Sequence, residues 1–256
     1  EFDVALFDTV GRGIIPTQAA YDLVPHAKRW LDDYNNLKIN LKNNQRTVSG
    51  KLVIGTSHHI GLHHLPVVLK SFMQQYPDVQ LDVHFIDSEQ AHKAVLDGDL
   101  ALAFLTLPPT QDKRLHYFNL WQDTLQFVTG TGSALAQKTQ VTLEDLTHFP
   151  AILPAANTFT SQITLAEFAK HGLKPYATMS TNPLESIRML VSIGLGWSVL
   201  PQTLMNEELQ PIALAEPLAL QRDLGVVMNP NITVSASMLA LLSLLGLALP
   251  EKFHIG

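Results

Sequence analysis

The sequence predicts an α/β protein with two lobes. Along residues 50–250, short apolar runs rich in β-branched residues alternate with longer helix-like patterns. This alternation is typical of a mostly parallel sheet flanked by helices. The strand–helix series falls into two runs of about 90 residues each, which favours two lobes. With 256 residues, of which 46% are hydrophobic and 16% charged, the chain can build a sizeable core.

The first fifteen residues are strand-like on either side of a Gly-Arg-Gly turn at 11–13, from which Arg12 projects. A long helix then begins near Pro16 and continues to about residue 40. Pro25 lies inside this helix and predicts a kink or a local break. The polar residues 43–49 follow as a linker.

The long helix carries an apolar stripe, with Lys and Asp on its other face. The stripe consists of side chains spaced by three or four positions: Tyr21, Val24, Ala27, Leu31, Tyr34 and Leu37. Such a stripe requires a partner, and a second copy of the chain could supply it.

Two series of strands and helices follow the linker. The first comprises a strand at 52–54, a helix at 61–76, a strand at 82–85, a helix at 88–96, and strands at 100–105, 115–120 and 125–129. The second comprises a strand at 151–153, a helix at 161–171, a strand at 177–180, a helix at 184–193, strands at 196–200 and 223–227, and a helix at 235–249. The last helix contains the longest apolar run, which is shorter than the ~20 residues that a membrane span needs. We therefore expect a buried helix and no membrane partner.

Composition excludes several classes of protein. The chain contains no cysteine, which rules out a disulfide scaffold and a thiolate metal site. Its formal net charge of −6 argues against this chain coating nucleic acid by itself. The start, Glu-Phe-Asp-Val, has no basic region followed by an apolar core. No signal peptide is therefore predicted, and a cytoplasmic location is expected.

Three polar clusters each stand between a predicted strand and a predicted helix. They contain Ser57-His58-His59, Asn157-Thr158-Phe159-Thr160 and Asn182-Pro183. In open α/β sheets, ligands bind beyond the carboxyl ends of strands, and helix N-termini hold anions through free N–H groups. The clusters therefore predict a cleft for a small, oxygen-rich and anionic ligand.

Helix capping is the alternative interpretation of the same residues. For Ser57 and Thr160, capping and ligand contact are equally compatible with the sequence. For Asn182, capping is favoured, because Pro183 fits the first helical position and Glu185 fits the reciprocal side of a capping box. The rings of His58 and His59 could still donate hydrogen bonds to a bound anion.

Four histidines suggest a metal site, but the pattern is incomplete. His59 and His63 are four residues apart, and His58 and His64 flank them. A zinc site needs three or four ligands, no acidic residue lies nearby in the helix, and one helix cannot bring all four rings together. No metal, cofactor or catalytic residue is therefore expected; the chain also lacks a Gly-x-Ser-x-Gly motif.

Five short segments form an ordered set across nearly the whole chain. They are the stretch at 6–20, Leu-Pro at 65–66, Tyr-Pro at 76–77, Gly-Asp-Leu-Ala-Leu-Ala at 98–103, and Val-Ser-Ile-Gly-Leu-Gly-Trp-Ser-Val-Leu-Pro at 191–201. In order and spacing this set resembles the LysR-type transcriptional regulators. Two departures occur at the entry to the linker helix, where Pro16 replaces the family's usual Leu and Ala20 replaces its usual Gly.

The resemblance implies a fold like that of the type 2 periplasmic binding proteins, in which two Rossmann-like lobes clasp an effector. It implies the wing remnant of a winged helix-turn-helix at 1–15 and a linker or dimerisation helix with its hinge at 16–49. Lobe I would comprise 50–126 and 222–250, and lobe II would comprise 127–221. In the family the recognition helix precedes the wing, so a truncated or cleaved fragment is expected.

The resemblance also implies the residues that contact the effector. Together with His58, the predicted set is Ser57 and His59 after the first strand, Thr106 at the end of the third, Asn157, Thr158 and Thr160 in the second-lobe loop, and Asn182 before the later helix. His59 departs from the family's commoner small hydroxyl residue. Arg12 on the wing could touch a DNA phosphate, although one such contact supplies little affinity.

Three hypotheses for function follow. The leading one is a LysR-type DNA-binding regulator that senses a small metabolite between its lobes and, at full length, binds promoter DNA as a homodimer or homotetramer. The second is the solute-binding protein of a transporter, which shares the two-lobe fold. The third is an enzyme on an α/β scaffold, which is disfavoured because no catalytic constellation converges.

Overall fold

The chain is described here by a computed structural model. The structure describes residues 4–11, 13–42, 48–251 and 253–255, without the side chains of residues 29, 32, 33 and 35–42. Arg12, the side chain of Leu37 and most of the predicted linker at 43–49 therefore lie outside the described residues. The described chain divides into two compact units. One contains residues up to Val53, Lys70–Asp82 and residues from Ile232 onward, and the other contains Ile54–Leu69 and Val83–Asn231.

The first unit begins with a hairpin and a long helix. Strand β1 (Phe7–Val10) pairs antiparallel with β2 (Gly13–Pro16), and helix α1 covers Gln18–Lys42. Thr17 starts this helix, because its Oγ1 accepts a hydrogen bond from the Ala20 N–H at 3.3 Å. The predicted break at Pro25 does not occur; the fixed φ of proline suits a helix, so one lost hydrogen bond does not end it.

One mixed sheet contains the remaining strands. They are β3 (Gly50–Thr56), β4 (Val79–Phe85), β5 (Leu102–Thr106), β6 (His116–Gly130), β7 (Ala151–Leu153), β8 (Ala177–Ser180), β9 (Trp197–Pro201), β10 (Leu209–Pro211) and β11 (Leu220–Met228). Their order is β4-β3-β5-β11-β6-β9-β7-β8, with β10 paired to β6.

The sheet is less parallel than the sequence predicts. Parallel pairing joins β3 to β5 and β7 to both β8 and β9, as expected for strands connected through helices. The two long strands β6 and β11 instead run antiparallel to each other and to their other neighbours. The predicted strands at 115–120 and 125–129 are both parts of β6, whose 15 residues continue through the polar residues between them.

Six helices follow strands of this sheet, and α8 (Ala236–Leu244) comes last. The six are α2 (His58–His63), α3 (Leu65–Gln75), α4 (Ser88–Asp97), α5 (Leu143–Leu146), α6 (Phe159–Lys170) and α7 (Leu184–Ser192). The predicted helix at 61–76 is wrong, because two helices meet at His64, just before Pro66, whose ring and missing N–H interrupt the helical hydrogen bonds. In the part of the chain that is described, every helix is too short or too polar to cross a membrane.

A buried aromatic cluster lies beside the second series of strands. The rings of Phe168 and Trp197 stack with centroids 5.7 Å apart, and Phe127 lies 5.9 Å from Trp197. The indole N–H of Trp197 donates to the Leu146 and Phe149 carbonyls at 3.0 and 3.1 Å. Because its one polar group is satisfied, Trp197 can be fully buried.

Candidate functional site

A small pocket, with a cavity volume of about 50 Å³, lies within the second compact unit. The ends of several strands and the starts of the following helices form its wall. Its lining consists of Ser57, His58, His59, Asp87, Ser88, Glu89, Thr106, Pro154, Thr158, Thr160, Asn182, Pro183, Leu184 and Arg222.

Four helices begin at this pocket. Helices α2, α4, α6 and α7 start directly after Ser57, Asp87, Thr158 and Pro183, which all line it. A helix N-terminus presents unpaired N–H groups and the positive end of the helix dipole. Each such end favours anionic oxygen atoms near it.

Seven of the eight predicted effector contacts line the pocket. Ser57 is 8% exposed, and its Oγ has no hydrogen-bond partner among the described residues, so this hydroxyl is free to contact a ligand. His58 is half-buried, with its ring 5.7 Å from that of Phe85. Thr106 is buried at the end of β5, where its N–H donates to Ser88 Oγ at 3.1 Å. The eighth, Asn157, is exposed and lies outside the lining.

The threonines before and in α6 have different roles. Thr158 caps the helix, because its Oγ1 accepts from the Ser161 N–H at 3.2 Å and donates to the Ala155 carbonyl at 2.8 Å. Thr160 is 7% exposed, and its Oγ1 accepts from Arg222 Nη1 at 3.0 Å. Thr160 therefore positions a charged residue and does not cap a helix.

Asn182 does not cap α7, contrary to the interpretation favoured by the sequence. The helix begins at Leu184, and Pro183 occupies the N-cap without a side-chain capping hydrogen bond. The Asn182 amide instead accepts from the Ala155 N–H at 3.1 Å and donates to Asp87 Oδ2 at 2.6 Å. Glu185, which was expected to complete the capping box, accepts from His63 Nε2 at 3.1 Å.

A buried ion pair lies at the pocket, and one of its members, Arg222, lines it. Arg222 on β11 and Asp123 on β6 are cross-strand partners, and they are 3% and 5% exposed. Arg222 donates two hydrogen bonds to Asp123 Oδ2, from Nη2 at 2.7 Å and from Nε at 3.1 Å. Burial alone would raise the pKa of the Asp123 carboxyl, but the neighbouring His59, His64 and Arg222 together hold it below its usual range.

His59 connects this ion pair with α7. Its Nε2 lies 3.1 Å from Asp123 Oδ2, and its Nδ1 lies 3.9 Å from Glu185 Oε1. The side chain is 4% exposed, and burial lowers the pKa of the ring, although Asp123 opposes this shift. Burial therefore favours the neutral ring of His59, and neither ring nitrogen makes a well-aligned hydrogen bond among the described residues.

Two carboxylates also line the pocket. Asp87 is held by Asn182, and Glu89 Oε1 accepts a hydrogen bond from the Phe159 N–H at 2.6 Å. Burial raises the pKa of Glu89, and the Phe159 N–H opposes this shift. The contact shows that the start of α6 binds a carboxylate, which here belongs to the protein itself.

Arg222, Asp123 and Glu89 are site residues that the sequence did not predict. Arg222 and Asp123 each fall just outside a predicted strand, so neither was expected in the core. A signal was available: opposite charges next to two apolar runs can pair if the runs are neighbouring strands. Only the observed register, which places residues 99 positions apart opposite each other, identifies the pair.

Comparison with known proteins gives one consistent family. Residues 45–249 match the family model described as the LysR substrate binding domain. A probable RuBisCO transcriptional regulator of Trieres chinensis is 27% identical over 193 residues, which cover 71% of this chain and 62% of the relative. A probable nitrogen assimilation transcriptional activator of Synechococcus elongatus is 26% identical over 222 residues, covering 86% of this chain and 72% of the relative. The chain thus spans less than two thirds of the first relative.

Solved structures share the fold. The effector binding domain of QuiR in complex with shikimate has a TM-score of 0.68 and 16% identity, and covers 77% of this chain and 95% of that chain. The regulatory domain of CcmR from Synechocystis PCC6803 in complex with 2-PG has a TM-score of 0.67 and 21% identity, with 76% and 95% covered. These likenesses confirm the predicted α/β fold of a LysR effector-binding domain.

Proposed function

Because the chain belongs to the LysR substrate-binding domain family, we propose that it is the effector-sensing part of a transcriptional regulator. The observation that carries the proposal is the pocket at which four helices begin and in which the buried Ser57 hydroxyl has no described partner. The alternative of a transporter's solute-binding protein is not supported, since the curated relatives are named transcriptional regulators.

The proposed effector is a small, oxygen-rich and anionic metabolite. Helix N-termini favour its anionic group, and the start of α6 already holds the Glu89 carboxylate in such a position. Asp87 and Glu89 accept hydrogen bonds, so hydroxyl groups on the same metabolite would find partners in this pocket. Hydroxylated organic acids combine both features.

The effector would act through the rest of the full-length protein. We propose that the full-length protein binds promoter DNA as a homodimer or homotetramer, and that effector binding changes how the predicted lobes close. A regulator of this kind needs no catalytic activity, and it acts where the chromosome is, in the cytoplasm. Arg12 remains the one predicted DNA contact of this chain.

The test compares two buried serines. Shikimate, 2-PG, amino acids, inorganic anions, amines and apolar compounds are screened by thermal shift, and hits are titrated by calorimetry against the wild type, Ser57→Ala and Ser198→Ala. Both hydroxyls are buried without a described partner, but Ser57 lines the pocket and Ser198 lies on β9 outside it. A lost hydrogen bond to a charged ligand should raise Kd by about tenfold or more for Ser57→Ala only.

Two results would contradict the proposal. Stabilisation by amines or apolar compounds alone would refute an anionic effector. An equal loss of affinity in Ser57→Ala and Ser198→Ala would show that the ligand does not contact the pocket through Ser57.

A further inference from the structure

Histidine and carboxylate side chains converge on one side of the pocket in a pattern that the effector proposal does not use. His59 and His63 lie four residues apart on α2, and their ring centroids are 4.9 Å apart. Glu185 comes from α7, 122 residues after His63. One nitrogen of each ring and one oxygen of the carboxylate all lie within 4.8 Å of one another.

The distances match those between ligands of a single ion. Glu185 Oε1 lies 3.1 Å from His63 Nε2 and 3.9 Å from His59 Nδ1. In a tetrahedral zinc site with bonds of 2.0–2.1 Å, neighbouring ligand atoms are about 3.3 Å apart. Small side-chain adjustments would therefore place all three atoms at bonding distance from one ion.

The carboxylate beside Nε2 of His59 favours a tautomer in which Nδ1 carries no proton. Nε2 faces Asp123 Oδ2 at 3.1 Å, and this carboxylate favours the tautomer that is protonated on Nε2. Nδ1 then presents a lone pair toward Glu185, which is also an acceptor. The side chain is 4% exposed, and neither of its ring nitrogens makes a well-aligned hydrogen bond among the described residues. A cation bound between these two acceptors would satisfy both of them.

We propose that His59, His63 and Glu185 form a binding site for a divalent transition-metal ion such as Zn²⁺. Two histidines at i and i+4 on a helix with one carboxylate from another element is a ligand set that binds zinc in proteins and leaves a fourth position open. The nitrogen donors favour this class of ion over Mg²⁺ or Ca²⁺, which bind oxygen atoms. In the metal-free protein His63 donates to Glu185, and metal binding would shift that ring to the tautomer protonated on Nδ1.

The surroundings supply the outer shell that such a site needs. Ligating histidines usually donate their other N–H to a carboxylate, which fixes the ring and its tautomer. Asp123 faces the Nε2 of His59, and Arg222 holds Asp123 through two hydrogen bonds. His63 and Glu185 are 31% and 25% exposed, so an ion can reach the site from solvent.

A second group, His59, His64 and Asp123, is a weaker candidate for the same ion. Its atoms also lie within 4.8 Å of one another, but Asp123 already accepts two hydrogen bonds from the Arg222 guanidinium. A dication bound there would stand beside a buried positive charge, which opposes binding. Since both groups need His59, the two sites exclude each other unless its ring bridges two ions.

The test is a metal titration without any metabolite. The chain is treated with EDTA, desalted, and titrated with ZnCl₂ by calorimetry and with CoCl₂ by visible absorption. One equivalent should bind to the wild type, and Co²⁺ should show the intense absorption of four-coordinate geometry. His63→Gln and Glu185→Gln should each weaken binding by about 100-fold, the upper end of the effect of an outer-shell partner.

Two variants serve as controls. His171→Gln removes a surface histidine that lies 3.8 Å from Glu167 at i and i+4 spacing, a pair with one donor fewer than the proposed site. His64→Gln removes a ligand of the weaker group only. Both should bind Zn²⁺ like the wild type. Circular dichroism checks folding, and if one ligand variant fails to fold, the other variant and the Co²⁺ spectrum decide.

Three results would overturn the assignment. They are the absence of a stoichiometric Zn²⁺ equivalent, binding that survives both ligand variants, and binding that depends on His64 or His171 instead. Because no metabolite is present, failure of the metal site leaves the effector proposal untouched, and effector binding measured in EDTA is likewise independent of the metal.

Discussion

At the scale of single residues, Arg222 and Asp123 dominate the electrostatics of the pocket. Both are nearly inaccessible, and each is the nearest opposite charge to the other. Taking such a pair out of water is costly, and the attraction and the aligned hydrogen bonds offset that cost. Arg222 also donates to Thr160, so the pair positions a pocket residue.

Removing one member of this pair should destabilise the protein strongly. We expect Arg222→Met to lower the free energy of unfolding by about 3–5 kcal/mol, because the Asp123 carboxylate is then buried without its guanidinium partner. Urea unfolding at neutral pH measures the change. The double variant Arg222→Met/Asp123→Leu should recover a large part of the loss, whereas additive losses would contradict direct coupling.

Glu89 makes stability depend on pH. Burial raises the pKa of its carboxyl above the ordinary value of 4.5, so over the interval between these two values the folded state holds a proton that the unfolded state has released. The free energy of unfolding therefore falls as pH rises from 4.5 through the pKa that Glu89 has in the folded state. Above that pKa, the full cost of burying the Glu89 carboxylate is present.

Glu89→Gln should abolish this part of the pH dependence. The glutamine Oε1 can still accept the Phe159 N–H, while the cost of burying a charge disappears, so the variant should gain stability at neutral pH relative to the wild type. Urea unfolding at a series of pH values from about 4 to 8 measures the difference. Parallel pH profiles for the two proteins would show that Glu89 is not responsible.

Individual site residues could be predicted where a polar residue type coincides with a position between a predicted strand and a predicted helix. Ser57, His59 and Thr160 stand between a strand and a helix, which is enough to place them at the carboxyl end of a sheet. Asn157 follows the same logic but is exposed and lies outside the pocket lining, because its place in the loop, and not its residue type, decides what it contacts.

At the scale of elements, α1 exposes a row of large apolar side chains. Tyr21, Leu31 and Tyr34 are each about 61–62% exposed, and Val24 and Trp30 are also exposed. The spacing of these side chains in the sequence predicts the stripe, and among the described residues none buries it. A second copy of the helix is the partner that its length and pattern suit.

Leu31→Glu should weaken self-association of the chain. A carboxylate in an apolar helix–helix contact is buried at a cost, so the oligomer should dissociate at higher concentration than in the wild type. Multi-angle light scattering over a range of concentrations measures the mass. Lys28→Gln, an exposed position of the same helix with the same change in charge, serves as control. A wild-type chain that is monomeric at micromolar concentration would contradict the prediction.

The boundaries of the elements were less predictable than their types. The break at His64 depends on Pro66, a signal that was present but outweighed by the apolar periodicity around it. The union of two predicted strands into β6 had no local signal, because the polar residues between them are held in the strand by their pairing with β11.

At the scale of the whole molecule, three features of the sequence were enough to predict the fold and the general position of the site. They are the alternation of strands and helices, the polar clusters before the helices, and the segments that resemble the family. These features depend on residues close together in the chain, whose periodicity and caps are set by local backbone geometry. The domain division into lobes remains a prediction.

Only the tertiary structure decided which distant side chains meet. Arg222 faces Asp123 because β11 and β6 pair in one register, and Glu185 reaches His63 because α7 starts at the same pocket as α2. The histidines have no acidic residue near them in α2, and the proposed carboxylate ligand, Glu185, comes from α7. The register of paired strands and the placement of helices depend on packing over the whole sheet. They therefore cannot be predicted from any local pattern in the sequence.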